Sequence, residues 1–216
     1  VESGNMEIVN VKYNVKSLLN ELYNMTYMRA DDKGIKLIFD IDEKLPSEMI
    51  GDSKRIRQVV LNLLTNGIKY TNKGSVTLIV KATVEDDMAK VFCCVKDTGI
   101  GIKDEDMENI YDAFSRVDIS RNRNVEGTGL GLNIAKQFLA LMGSDLQIKS
   151  EYEKGSEFFF EIEQKIVDKK PIGDFRDSKN EENDKETKIS FVAPKGKVLV
   201  VDDNKINIKV FKSLLK

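Results

Sequence analysis

The 216-residue chain contains no histidine. That absence excludes a histidine metal site, a histidine general base and a phosphohistidine built from this chain alone. Cysteine is nearly absent too. The two present, Cys93 and Cys94, are adjacent in an apolar stretch, which reads as reduced core residues in a cytosolic protein rather than a disulfide framework. No apolar run approaches the ~18 residues of a membrane span, and no signal-peptide pattern is present. The formal charge of −2 gives no strong pull toward nucleic acid or an anionic membrane. What is present, 41% apolar and 32% charged residues, suits a soluble globular protein of one or two domains. A chain that begins at Val1 is expected to be a piece of something longer.

Periodicity supplies the elements. Apolar residues recur at helical spacing from Asn14 to Lys33 (Val15, Leu18, Leu19, Leu22, Met25, Met28), with Gly34 as the stop. Ile35–Ile41 reads as a strand, Pro46 as a turn and Glu48–Ile50 as a short strand. Asp52 or Ser53 caps a second helix running to Tyr70. Ser75–Glu85 and Ala89–Lys96 form a hairpin, Asp104–Ile110 a short helix, and Ser115–Val125 a polar loop. A third helix runs from about Gly129 to Met142, and Asp145–Ser150 with Ser156–Gln164 make a final hairpin. The order α-β-α-β-β-α-β-β predicts an α+β fold, a two-layer α/β sandwich with helices on one face of a mixed sheet.

Composition then changes. Asp168–Lys188 is rich in Lys, Asp, Glu, Asn and Ser and reads as a linker. After it, Lys197–Val201 is a continuous apolar strand ending in Asp202 and Asp203. Such a buried parallel strand needs neighbours that the remaining residues cannot supply, so the tail is the start of a second domain.

Three segments carry chemistry. On the second helix, Asn62, Asn66, Lys69 and Tyr70 share one stripe beside the apolar arc of Ile56, Val59, Val60, Leu63 and Leu64. A polar stripe is ordinarily a solvated face. Asparagine, however, is a poor helix former; its carbonyl oxygen suits Mg²⁺, and lysine suits phosphate. The second segment, Asp97-Thr98-Gly99-Ile100-Gly101-Ile102, places a carboxylate at a strand end, where it can accept from an exocyclic amine such as adenine's. The third, Glu126-Gly127-Thr128-Gly129-Leu130-Gly131-Leu132, opens a helix whose N-terminus favours anions. It lacks the preceding strand of a dinucleotide fingerprint and the Lys-Ser/Thr of a P-loop. Glycines at this density let backbone N–H groups approach phosphate, so the three segments together point to a nucleotide.

The ordered set resembles the catalytic ATP-binding domain of bacterial sensor histidine kinases, whose superfamily includes DNA gyrase, Hsp90 and MutL. Asn62–Tyr70 is similar to the family's N box, Asp97–Ile102 to its first glycine box, Tyr111-Asp112-Ala113-Phe114 to its F box, and Glu126–Leu132 to its second glycine box. The resemblance covers about residues 10–165. It implies that residues 1–9 end a dimerization and phosphoacceptor helix, 10–166 are the catalytic domain, 167–195 a linker, and 196–216 the truncated start of a receiver domain. The parent would be a hybrid histidine kinase.

By the same resemblance, Asn66 would hold Mg²⁺ on the ATP phosphates, with Asn62 in the same polar pocket. Lys69 would neutralise phosphate charge, and Tyr70 would lie against adenine or ribose. Asp97 would select adenine. Gly99, Gly101, Gly127, Gly129 and Gly131, with Ile102, Thr128 and Leu130 between and beside them, would line the nucleotide and form its lid. Phe114 marks the F box, and Arg116 just after it would reach the terminal phosphate. Asp202 and Asp203 would be part of an incomplete receiver metal site. Two departures stand out: Gly67, where many relatives carry Ala, and the acid Glu157 in the last hairpin.

The family's ATPases carry Glu where Asn62 stands, to activate water, and Asn cannot act as that base. The expectation is therefore phosphoryl transfer to a histidine in a domain outside this chain, with ATP and Mg²⁺ as cofactors and slow hydrolysis. The expected partners are that phosphoacceptor domain and a receiver, with no nucleic acid and no direct membrane contact, in the cytoplasm. Two alternatives stay open: a degenerate nucleotide- or partner-binding module, and a hydrolytic ATPase of the same fold.

Overall fold

A computed structural model describes residues 7–107, 110–111 and 130–175, which fall within one compact unit, Val1–Ser178. The elements are β1 (Val11–Asn14), α1 (Val15–Asp32), β2 (Lys36–Ile41), β3 (Pro46–Gly51), α2 (Ser53–Tyr70), β4 (Ser75–Glu85), β5 (Met88–Asp97), a 3-10 turn (Asp104–Asp106), α3 (Gly131–Leu141), β6 (Gln147–Glu151) and β7 (Gly155–Pro171). The strands form one sheet in the order β1-β3-β7-β5-β4-β2, with β6 also paired to β7. β2 and β4 are parallel and every other pairing is antiparallel, so the sheet is mixed.

Alternation decides which face is covered. Along β4, Val76, Leu78 and Val80 are buried, while their neighbours Ser75, Thr77, Ile79 and Lys81 are not. The inward side chains of β4, β5 and β7 meet the apolar stripes of the helices in one core, including Leu22 of α1, Leu63 and Leu64 of α2 and Leu139 of α3. α2 lies in the middle of the helical layer, against both α1 and α3. On the opposite face, cross-strand ion pairs such as Lys90–Glu161 and Lys96–Glu157 stand at the surface. That placement accounts for Glu157: its strand position faces solvent, opposite a lysine.

Several boundaries differ from those read in the sequence. Residues 7–10 are not helical, so no part of the expected phosphoacceptor helix lies in the described residues. Val11–Asn14 is a strand, paired in register with Glu48–Gly51. Four residues are too few to show a period, and the helical pattern that follows masks them. Pro46 opens β3 instead of making a turn; the first position of a strand tolerates the missing N–H. Among the described residues between Asp104 and Ile110, Asp104–Asp106 is helical, as one 3-10 turn.

The largest correction is at the end. β7 continues to Pro171, and Ile172 and Phe175 beyond it are buried, with Phe175 stacked on Phe39 at 5.5 Å between ring centroids. Residues 167–175 therefore belong to the sheet and core, not to a linker starting at 167. The charged composition misled because β7 pairs with the short β3 there, and its alternate residues face water. The rest of the proposed linker and the receiver start, with Asp202 and Asp203, lie outside the described residues.

Candidate nucleotide site

α2 positions the candidate side chains. Asp52 caps it, its carboxylate accepting from Arg55 N–H at 3.1 Å, and Ile56, Val59, Val60, Leu63, Leu64, Gly67 and Ile68 form its buried stripe. Asn62, Asn66, Lys69 and Tyr70 are half-buried on the flank of that stripe. Asn62 Nδ2 donates to the Gly131 carbonyl at 3.2 Å, so the asparagine flank of α2 meets the first turn of α3. Leu130 occupies the N-cap of α3 but gives no side-chain cap, and no acid stands in its first turn. Among the described residues, none compensates the positive end of this helix beside Asn62.

Five residues along α2 from Asn62, about 7.5 Å at 1.5 Å per residue, Gly67 lies over the end of β5. The place where a Gly67 Cβ would stand is 3.5 Å from Asp97 Cβ and 3.1 Å from Val76 Cγ1. Asp97 is the last residue of β5 and only 6% exposed. Burial raises its carboxyl pKa, while N–H donors from Gly99 and Ser156 pull it down. The Gly99 bond measures 2.8 Å. A buried carboxylate with two backbone donors and, among the described residues, no cationic partner keeps acceptor capacity for an incoming N–H.

The first glycine box has a packing role that its composition did not reveal. Gly101 has φ +64°, and a Cβ there would collide with the Glu151 carbonyl. A Cβ on Gly99 would stand 2.5 Å from the Tyr70 carbonyl. The box is thus wedged between the end of α2 and the β6–β7 turn. Ile100 N–H donates to Tyr70 O at 3.2 Å, Glu153 N–H to Ile100 O at 2.7 Å, and Ile102 N–H to Ser150 Oγ at 2.9 Å. Ile102 itself is half-buried against the core. Lys69 Nζ lies over the Tyr70 ring, 4.7 Å from its centroid.

Sequence reading missed Ser150 and Ser156. Their hydroxyls are 2.9 Å apart, tying the Ile102 backbone to the strand that also donates to Asp97. The only trace was their flanking of the last hairpin's turn. Of the F box, Tyr111 is described: its hydroxyl donates to Leu146 O at 3.1 Å, its carbonyl accepts from Asn133 Nδ2 at 2.9 Å, and Lys136 Nζ covers its ring. Phe114, Arg116, Gly127, Thr128 and Gly129 lie outside the described residues. Among the described residues there is no cluster of three or more Cys, Asp or Glu that would form a protein-only metal cage, and no helix long and apolar enough to cross a membrane.

Residues 51–166 match the family described as histidine kinase-, DNA gyrase B-, and HSP90-like ATPase. That interval takes in α2, the first glycine box, α3 and most of β7. Hybrid signal transduction histidine kinase B of Dictyostelium discoideum is 37% identical over 163 residues, covering 75% of this chain and 8% of that protein. Signal transduction histidine-protein kinase BarA of Escherichia coli K12 is 32% identical over 163 residues, covering 75% of this chain and 18% of that one. Among solved structures, full-length ShkA in complex with AMPPNP superposes with a TM-score of 0.65 at 28% identity, over 76% of this chain and 33% of that chain. The chain thus spans a small part of the curated relatives it matches.

Proposed function

The chain belongs to the histidine kinase-, DNA gyrase B- and HSP90-like ATPase family, and we propose that it is the phosphate-donating half of a hybrid histidine kinase, one that passes the ATP γ-phosphoryl group to a histidine outside this chain. The observation that carries the reading is the disposition of α2: one end of its polar flank meets the start of α3, which no described residue caps, and Gly67 further along covers Asp97. An adenine amine donating to Asp97 would direct the phosphates toward Asn62, Asn66 and the α3 N-terminus. ATP-site chemistry is further supported by the AMPPNP bound in ShkA.

Asn66 fits a magnesium role. Its amide oxygen is a hard ligand, it is half-buried, and it has no hydrogen-bond partner among the described residues. Mg²⁺ is bound in many phosphoryl-transfer sites by one or two protein oxygens plus substrate phosphates, so a full protein cage is not needed. When bound, the ion would offset negative charge on the phosphates. Lys69 would add a point charge, and Arg116 would meet the terminal phosphate as negative charge spreads over it. Gly127, Thr128 and Gly129 would bring backbone N–H groups over the phosphates.

The role of donor, not hydrolase, follows from α2, which contains no acid along its whole length. Asn62 cannot take a proton from water. The acceptor histidine must come from elsewhere, since the chain has none. We further assign residues 196–216 to the truncated start of a receiver domain, with Asp202 and Asp203 as its acids, and this chain to the cytoplasm.

The test is transfer. Incubated with labelled ATP, Mg²⁺ and a separately supplied phosphoacceptor domain, the chain should label that domain, and Asn66→Ala should remove the label. ATP titration without acceptor should show binding that depends on Asp97. Binding without transfer to any acceptor domain would favour a degenerate module. Fast hydrolysis by the isolated chain that Asn66→Ala abolishes would sink the donor reading.

A further inference from the structure

The last turn of α2 carries Lys69 and Tyr70 and leaves the carbonyls of Ile68, Lys69, Tyr70 and Thr71 without helical partners. All four are taken. Lys33 Nζ donates to Ile68 O at 2.8 Å, to Lys69 O at 2.9 Å and to Thr71 O at 3.1 Å. The fourth, Tyr70 O, accepts from Ile100 N–H of the first glycine box at 3.2 Å. One ammonium therefore closes three quarters of a helix end whose remaining carbonyl is the direct link to the box.

Lys33 is delivered there by the way α1 ends. It is the C-cap residue, and Gly34 follows with φ +66°. Gly34 N–H returns to Asp31 O at 2.8 Å and Ile35 N–H to Ala30 O at 2.9 Å, the paired bonds of a Schellman turn. The backbone at Lys33 is thus fixed, and only its stem has to reach across to α2. A cation at a helix C-terminus also has the sign that the helix dipole favours.

We propose that Lys33 is a positioning residue for the nucleotide site. It holds the last turn of α2 so that Lys69, Tyr70 and, through Tyr70 O, the Gly99–Ile102 backbone stay in the geometry that a nucleotide meets. This rests on the ATP-site reading above. The hydrogen bonds of the Lys33 ammonium among the described residues go to backbone carbonyls, and nothing in the sequence joins it to residues 66–70. Its effect is preorganisation: without it, part of the binding energy would go into ordering the turn.

The experiment uses the whole 216-residue chain and three variants. Lys33→Met keeps the apolar stem and removes the three donors. Lys33→Arg keeps charge and several donors. Ile162→Val, a buried β7 position in the shared core, serves as a control that lowers stability without removing a donor from the end of α2. Affinity for the magnesium salt of a non-hydrolysable ATP analogue is measured by calorimetry, and exchange of the Ile100 amide by NMR in the absence of nucleotide. Lys33→Met should weaken binding about tenfold, roughly 1.4 kcal/mol, and speed Ile100 exchange while leaving the Val91 amide in mid-β5 unchanged. Lys33→Arg should recover most of both losses, and Ile162→Val should show neither. Wild-type affinity in Lys33→Met overturns the proposal, as does an equal loss in Ile162→Val. If the wild-type chain binds no adenine nucleotide, the proposal falls together with the ATP reading, whereas normal binding in wild type and Lys33→Met removes the proposal alone.

Discussion

Asp97 combines a chemical need with a structural cost. Its carboxyl is buried at the end of β5, and burial raises its pKa above the ordinary carboxylate value despite the Gly99 and Ser156 donors. A raised folded-state pKa means the folded chain holds that proton more tightly than the unfolded one. Its contribution to stability is thus full at low pH and is lost as pH rises through the raised value. Asp97→Asn removes the ionisation and should flatten that part of the pH–stability curve. Thermal unfolding near neutral pH should show the variant no less stable than wild type, while its affinity for ATP drops at least about tenfold from the lost acceptor geometry. A variant that loses stability and keeps affinity would mean that Asp97 is only a structural cap for Gly99.

The glycines divide into two kinds at the same scale. Gly101→Ala should cost about 1–3 kcal/mol, because φ +64° and the Glu151 carbonyl both oppose a Cβ. Gly67→Ala is different. Helix propensity alone would favour alanine by up to ~1 kcal/mol, yet the new methyl would stand 3.1 Å from Val76 Cγ1. Denaturant unfolding should place this variant within about 0.5 kcal/mol of wild type, the two effects offsetting. Gly67 thus reflects a local choice of Val76 as its neighbour.

At the scale of elements, α2 is fastened at both ends. Asp52 Oδ1 accepts from Arg55 N–H and its other oxygen from Val9 N–H at 3.0 Å, so the cap also anchors the chain leading into β1. Asp52→Ala should cost about 1–2 kcal/mol in a chemical melt, with loss of protection at Val9 as the local sign. This cap was legible in the sequence, as were α1, α2, the β4–β5 hairpin and the stop at Gly34. Each has a period or a capping residue that acts within a few positions. β1 and the far end of β7 were not legible, because what makes them strands is a partner distant in sequence. Val11–Asn14 is defined by Glu48–Gly51, and Lys165–Pro171 by Pro46–Ile50. The candidate site divides in the same way. Asn62, Asn66, Lys69, Tyr70 and Asp97 announce themselves by residue type and spacing. Ser150 and Lys33 act through backbone groups of other elements, and a sequence gives no sign of which carbonyl or N–H a side chain will reach.

For the molecule as a whole, the residues that follow β7 close the described fold. Ile172 N–H donates to Leu45 O at 2.9 Å and Gly173 N–H to Glu43 O at 3.1 Å, and Phe175 stacks on Phe39. A chain ending at Pro171 should therefore be less stable than one ending at Ser178 by about 2–4 kcal/mol, the range for losing large buried apolar side chains. Thermal melts of the two lengths would check this, and equal midpoints would contradict it.

Among the described strands β7 is the last to be made, and it stands between β3 and β5, joining β1-β3 to β5-β4-β2. A ribosome would release both halves of the sheet, and α2 with its asparagines, well before the strand that unites them. Until then the nascent chain would carry two unpaired strand edges and a core open along its middle, the condition in which chaperones engage a chain. Ser156, at the start of that same strand, also supplies one of Asp97's donors. Competence to bind a nucleotide should thus arrive abruptly and late in translation, with nascent chains of graded length gaining it in a single step once β7 has emerged.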